Sequence, residues 1–151
     1  IHEIGDQCFC AMSTYEKCLG RYSVEQAVED YVRQVIDAVR SGLFHTIAHL
    51  DYIKKYGERF YGAVIHDVFR SQLPALFAAL KESNAAIEVN TAARRVGFPS
   101  YYPSIDIINA ARRAGVSVHY LGSDAHKPEQ VGFDFEEVVP LVPDAVTHCE
   151  D

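Results

Sequence analysis

An aspartate and a histidine stand two residues apart in Gly122-Ser123-Asp124-Ala125-His126, directly after a run of apolar and β-branched residues. In an extended segment, period-two geometry turns both side chains to the same side. A carboxylate beside a neutral imidazole suits a borderline or hard divalent ion such as zinc, manganese or iron, although an isolated D-x-H also arises by chance. His49, in Ile47-Ala48-His49-Leu50-Asp51, is a second candidate, and Asp51 stands where it could accept from the imidazole or cap the next turn. His45 lies four residues earlier on the same strand face; at about 3.3 Å per residue it is about 13 Å away and belongs to the opposite rim. His119 has odd parity relative to Asp124 and should point away, while His66 and His148 read as surface positions. Cys8 and Cys10 form a C-x-C with no second pair at zinc-site spacing, so these two, Cys18 and Cys149 read as free, non-catalytic thiols.

The elements that must position these residues alternate along the chain. Ser23 with Gln26 three residues later is a capping-box pattern, and Val24, Val28, Tyr31, Val35 and Val39 repeat at helical spacing up to Ser41 and Gly42. Leu43 to Leu50 reads as a strand. Helical spacing returns from Gly62 to Asn84, but Pro74 lacks an amide donor and predicts two segments broken near Ser71 to Leu73. Ala86 to Asn90 reads as a strand, Ser104 to Ala114 as a helix capped by Ser104 and stopped by Gly115, Val116 to Leu121 as a strand, and Phe135 to Val139 as a short helix. Ile1 to Ile4 reads as the end of a strand with no partner before it. Three strands separated by helices predict the α/β class with a parallel sheet, in one domain portion spanning 1–151. His49, Asn90, Asp124 and His126 fall at or just past the C-terminal ends of the strands, the edge where α/β folds carry their sites.

The chain has 151 residues, 48% of them hydrophobic, enough for one sizeable core. Lys and Arg number 14 against 21 Asp and Glu, a net charge of −7 that weighs against nucleic acid and anionic membrane as partners. Neither a membrane-span-length apolar run nor a secretion-signal pattern is present, so the expected location is the cytoplasm.

Five stretches together carry a resemblance. They are I-H at the start, S-G-L-F-H-T-I-A-H-L-D-Y-I-K-K-Y-G at 41–57, E-V-N-T-A-A-R-R at 88–95, Y-P-S at 102–104 and G-S-D-A-H-K-P-E-Q-V-G at 122–132. In this order the chain resembles the C-terminal part of the PHP (polymerase and histidinol phosphatase) superfamily, most closely its histidinol-phosphatase branch. The resemblance implies part of a distorted (β/α)7 barrel, with the N-terminal strands upstream of Ile1. It also implies two or three divalent ions (zinc, manganese or iron) at the C-terminal edge. On matching positions His2, His49, Asp124 and His126 would be metal ligands, with Ala48 in place of the usual glycine. Arg95, a better match than Arg94, would bind substrate phosphate, and Lys54 and Lys127 are weaker candidates for the same anion. The family's H-x-H, a further histidine and a glutamate ligand would lie upstream, so this span would hold metal only partially.

The function so implied is metal-dependent hydrolysis of L-histidinol phosphate to L-histidinol and phosphate in histidine biosynthesis. Asp124 and His126 would also orient or protonate the leaving alkoxide. Two alternatives stand beside it: a PHP-type hydrolase of another phosphoester such as a small nucleotide, and a catalytically silent fragment. The expected partners are a small phosphorylated substrate and, for this span alone, either a second copy or the missing N-terminal half.

Overall fold

The computed structural model describes residues 1–142. These fall into two compact units interleaved along the chain: Ile1–Leu43 with Asp51–Ser83, and Phe44–Leu50 with the residues from Asn84 onward. His148 and Cys149 lie outside the described residues.

The first unit is mainly helical. It opens with a hairpin of β1 (Glu3–Ile4) and β2 (Gln7–Cys8), so the first strand does find a partner, in the segment that follows it. Gly5 takes φ 59 at the turn, a conformation open to glycine at little cost. Cys8 and Cys10 are joined as a disulfide, correcting the expectation of free thiols; their Cα atoms lie 5.6 Å apart, within the usual range for such a bridge. Cys18 is free and buried. A short helix, α1 (Tyr15–Leu19), precedes α2 (Val24–Arg40), whose N-terminus is the expected capping box. Gln26 N–H donates to Ser23 Oγ, and Ser23 N–H donates to the Gln26 side chain at 3.0 Å. The apolar stripe of α2 is buried against α4 (Val64–Glu82), which follows α3 (Lys54–Tyr61). Here the sequence reading is corrected: α4 runs unbroken through Pro74. Ile65, Phe69, Leu73, Leu76, Phe77 and Leu80 are buried on both sides of the proline, and burial of that continuous stripe outweighs one missing backbone hydrogen bond. No helix of the described residues is long and apolar enough to cross a membrane.

The second unit is built on a three-stranded parallel sheet in the order β3 (Thr46–Ile47), β4 (Ala86–Asn90), β5 (Val118–Gly122). The expected strand at 43–50 contracts to two residues, because only there does β3 run in register with β4. Between β4 and β5 come a single-turn helix α5 (Ala92–Arg95) and α6 (Ile105–Arg113), which packs on β5. Ser104 is at the N-cap of α6 as expected, without a side-chain capping bond, and α7 (Phe135–Val138) follows β5. The α/β class with a parallel sheet is therefore observed. All three strand ends point the same way, so His49, Asn90 and Asp124 leave the sheet along one edge.

Candidate active site at the strand ends of the second unit

Alternation in β4 separates two kinds of side chain. Ile87 and Val89 are buried apolar residues on one face, and Glu88 and Asn90 stand on the other. The register sets Glu88 beside Tyr120 and Asn90 beside Gly122. Asn90 is 2% exposed and both ends of its amide are used: Nδ2 donates to Glu88 Oε1 at 2.7 Å, and Oδ1 accepts from the Ala92 amide at 3.0 Å. The backbone amide of His49 also favours the charged form of the Glu88 carboxylate. Burial raises the Glu88 carboxyl above the usual carboxylate range and the charge of Asp124 adds to that, while Asn90 and the His49 amide pull the other way. Glu88 thus sits among the ends of all three strands. It was missed in the sequence, although a glutamate and an asparagine at alternate positions of an otherwise apolar five-residue strand are a legible signal.

The loop after β5 is tied down at several points. Arg95 Nη1 donates to the Ser123 carbonyl at 2.6 Å and Nη2 to the Asp124 carbonyl at 2.9 Å, a fork across consecutive peptide oxygens. Gly132 N–H donates to Ser123 Oγ at 3.3 Å, and His126 N–H to Gln130 Oε1 at 2.9 Å. His126 Nδ1 lies 2.9 Å from the Asp124 carbonyl, which can only accept, so Nδ1 is the donor there and Nε2 is the ring nitrogen left for another partner. Arg94 turns elsewhere, with Nε 3.3 Å from Asp134 Oδ2. His49 at φ 37 and Asp124 at φ 47 both occupy the left-handed region. Such conformations in residues other than glycine persist only where the surroundings over-determine them, and they concentrate at functional sites.

Of the expected site residues, His49, Arg95, Asp124, His126 and Lys127 belong to this second unit. Lys127 is exposed at the start of a 3-10 turn, Pro128–Gln130. His2 and Lys54 belong to the first unit. The His2 ring lies against Tyr52 with centroids 4.8 Å apart. Lys54 is not a solvated lysine: its side chain is 7% exposed and its Nζ lies 2.7 Å from Oδ2 of Asp51, itself 3% exposed. His45 is exposed and contributes to the sheet through its carbonyl, which accepts from the Ala86 amide at 2.9 Å. Among the described residues no three or more His, Cys, Asp and Glu side chains are gathered closely enough to hold a metal ion. These residues alone therefore do not form a complete metal site.

The chemistry available at the edge is that of an imidazole with a defined free nitrogen, two carboxylates and a guanidinium held on peptide carbonyls. Compared with known proteins, the chain is 37% identical over 119 residues to a probable histidinol-phosphatase of Deinococcus radiodurans, covering 76% of this chain and 41% of that protein. It is 29% identical over 116 residues to a probable histidinol-phosphatase of Thermotoga maritima, covering 76% of this chain and 47% of that protein. It thus spans about half the length of the curated relatives it matches. The fold matches the crystal structure of a candidate histidinol phosphatase from Listeria monocytogenes with a TM-score of 0.70 at 18% identity, covering 87% of this chain and 52% of that one. No protein-family model matches the chain. By sequence the chain is similar to two proteins described as probable histidinol-phosphatases, which is consistent with the histidinol-phosphatase branch of the PHP superfamily that its motifs resemble, and the partial coverage fits their C-terminal part.

Proposed function

We propose that the chain is the C-terminal part of a cytoplasmic, metal-dependent phosphomonoesterase that hydrolyses L-histidinol phosphate to L-histidinol and phosphate in histidine biosynthesis, within a distorted (β/α)7 barrel. The observation that carries this reading is the 37% identity to a protein described as a probable histidinol-phosphatase, over a stretch of 119 residues. The gathering of His49, Glu88, Asn90, Arg95, Asp124 and His126 around one sheet edge supports it.

In this reading His126 is held by its Nδ1–H on the Asp124 carbonyl so that Nε2 faces reactants as a base or ligand. Asp124 and His126 orient the leaving oxygen and handle its proton. Arg95 keeps the loop that carries them in shape, and its remaining N–H groups and Lys127 are the cationic donors for a phosphate. Divalent ions enter the proposal through the resemblance, with His49, Asp124 and His126 as ligands on this unit and His2 as a further one. Since the described residues do not complete a metal site, no chemical step is derived through the ions, and a preparation limited to these 151 residues should bind cations weakly and turn over little.

The test is steady-state hydrolysis of L-histidinol phosphate by the full-length protein, set against a nucleoside monophosphate, with and without dialysis against a chelator and with manganese or zinc restored. A kcat/KM at least about tenfold higher for L-histidinol phosphate, lost on chelation and regained with metal, is expected. Preference for the nucleotide, or turnover untouched by chelation, would overturn the reading.

A further inference from the structure

We propose that Asn90 is a positioning residue of this site: clamped by Glu88, its side chain fixes the turn from β4 into α5 and, through that turn, the placement of the Arg95 guanidinium on the loop that carries Asp124 and His126.

Asn90 is engaged at this junction through both backbone and side chain. Its N–H donates to the Tyr102 carbonyl at 2.7 Å, and its carbonyl accepts from the Tyr102 amide at 3.0 Å. Its Nδ2 donates to Glu88 Oε1 at 2.7 Å, and its Oδ1 accepts from the Ala92 amide at 3.0 Å. The first amides of a helix have no partner inside it, and Thr91 offers α5 no side-chain cap. Ala92 is 6% exposed, so Asn90 Oδ1 satisfies an N–H that water reaches poorly. Glu88 is itself confined: a β-carbon built on Gly122 would overlap its carboxyl carbon and both oxygens. Gly122 has no positive φ, and this close approach is the remaining reason for glycine there. The Gly122 carbonyl accepts from the Thr91 amide at 2.8 Å, so the same end of β5 holds the next residue of the turn. The single turn of α5 is too short to hold a direction of its own, and the junction before it must supply one. At its end Arg95 reaches the Ser123 and Asp124 carbonyls. An asparagine suits the junction because it gives a donor to the carboxylate and an acceptor to the amide, whereas an aspartate would set a second carboxylate against Glu88.

The effect on turnover rests on the phosphatase reading above, so the test carries readouts independent of it. In the full-length protein, amide hydrogen exchange of Ala92 is followed in wild type, Asn90→Ala, Asn90→Asp and the double variant Glu88→Gln with Asn90→Asp. The Ile87 amide, bonded to the Ser117 carbonyl at 2.8 Å, is the internal control. Asn90→Ala should speed Ala92 exchange about tenfold or more while Ile87 stays within about twofold. The Arg95 Nε–H resonance should move toward that of a solvated arginine. With L-histidinol phosphate kcat should fall about tenfold, with KM within about twofold. In the double variant the new amide can donate to the new carboxylate, which still accepts from Ala92, so exchange and kcat should return to within about threefold of wild type. Added to Arg95→Ala, Asn90→Ala should lower kcat by no more than about twofold further, because it acts through Arg95. Unchanged Ala92 exchange in folded Asn90→Ala overturns the proposal, as does a full further tenfold loss beside Arg95→Ala. A raised KM at unchanged kcat also overturns it, making Asn90 a substrate contact. If Asn90→Ala does not fold, Glu88→Ala decides, because it releases Nδ2 and leaves Asn90 in place: faster Ala92 exchange supports the proposal and unchanged exchange overturns it. A wild type inactive on phosphomonoesters would sink the functional reading, while Ala92 exchange and the Arg95 resonance would still decide the role of Asn90.

Discussion

Replacing Arg95 separates two roles for its guanidinium. The resemblance assigns it to substrate phosphate, where its loss would raise KM and leave the fold untouched. In the structure its two Nη atoms are already engaged, at 2.6 Å on the Ser123 carbonyl and 2.9 Å on the Asp124 carbonyl. A fully buried hydrogen bond from a charged donor contributes about 1.5–3 kcal/mol, and two such bonds would double that. Arg95 is half-buried, so water can replace part of what is lost, and about 2–3 kcal/mol is the reasonable expectation for Arg95→Ala. For a protein of this size that is a fall in Tm of roughly 5–10 °C. Arg95→Lys should lose about half as much, because an ammonium is a point donor without the planar fork that spans two successive carbonyls. Thermal melts and urea denaturation at matched m-values, read beside kcat and KM of the full-length protein, are the assay. If the fork anchors the loop that carries Asp124 and His126, stability and kcat fall together, with Arg95→Lys between wild type and Arg95→Ala. A Tm within about 1 °C of wild type together with a several-fold higher KM would refute the reasoning and return Arg95 to the phosphate.

Lys54→Ala leaves the Asp51 carboxylate buried without its 2.7 Å partner and should cost about 3 kcal/mol or more in urea denaturation; a loss under about 1 kcal/mol would mean that the pair is solvated. Acid stability should respond to Asp30. Its burial works to raise its carboxyl, but the Gly5 amide and the Arg33 and Gln34 side chains donate to it and hold it below the usual carboxylate value. A carboxyl lowered in the folded state stabilises above its unfolded pKa and loses that contribution as pH falls through the folded one, so Asp30→Asn should flatten the acid limb of the stability curve in that window; an unchanged limb would count against the network. Ser23→Ala removes one half of the capping box and should cost about 1 kcal/mol, most of which Ser23→Asn restores, as judged by thermal melts. His45→Ala should be within about 0.5 kcal/mol of wild type in stability and without effect on turnover, since its side chain is exposed and its carbonyl is what pairs with β4; a turnover loss equal to that of Arg95→Ala would place its side chain in the site.

Local signals in the sequence determined α2, β4 and α6 nearly to the residue, because each is bounded by chemistry that acts within one turn: a capping box at Ser23, a glycine past Ala114, a β-branched run at Ala86–Asn90. Periodicity and alternation also determined the parallel α/β class, and the D-x-H and A-H-L-D blocks picked out His49, Asp124 and His126. The decisions left to tertiary structure were those in which distant residues compete. Pro74 stays inside an unbroken helix because a buried stripe on both sides of it outweighs one lost hydrogen bond. β3 shrinks to two residues because strand length depends on pairing with β4. Lys54, a candidate for the substrate anion in sequence, is buried because Asp51 three residues before it supplies a counter-charge. Glu88 and Arg95 show the same limit from the side of function. Their types and places in the chain were plain in the sequence, but whether a carboxylate lies against a glycine or a guanidinium meets a carbonyl is settled by where the chain returns some 30 residues away, and a linear pattern carries no term for that distance.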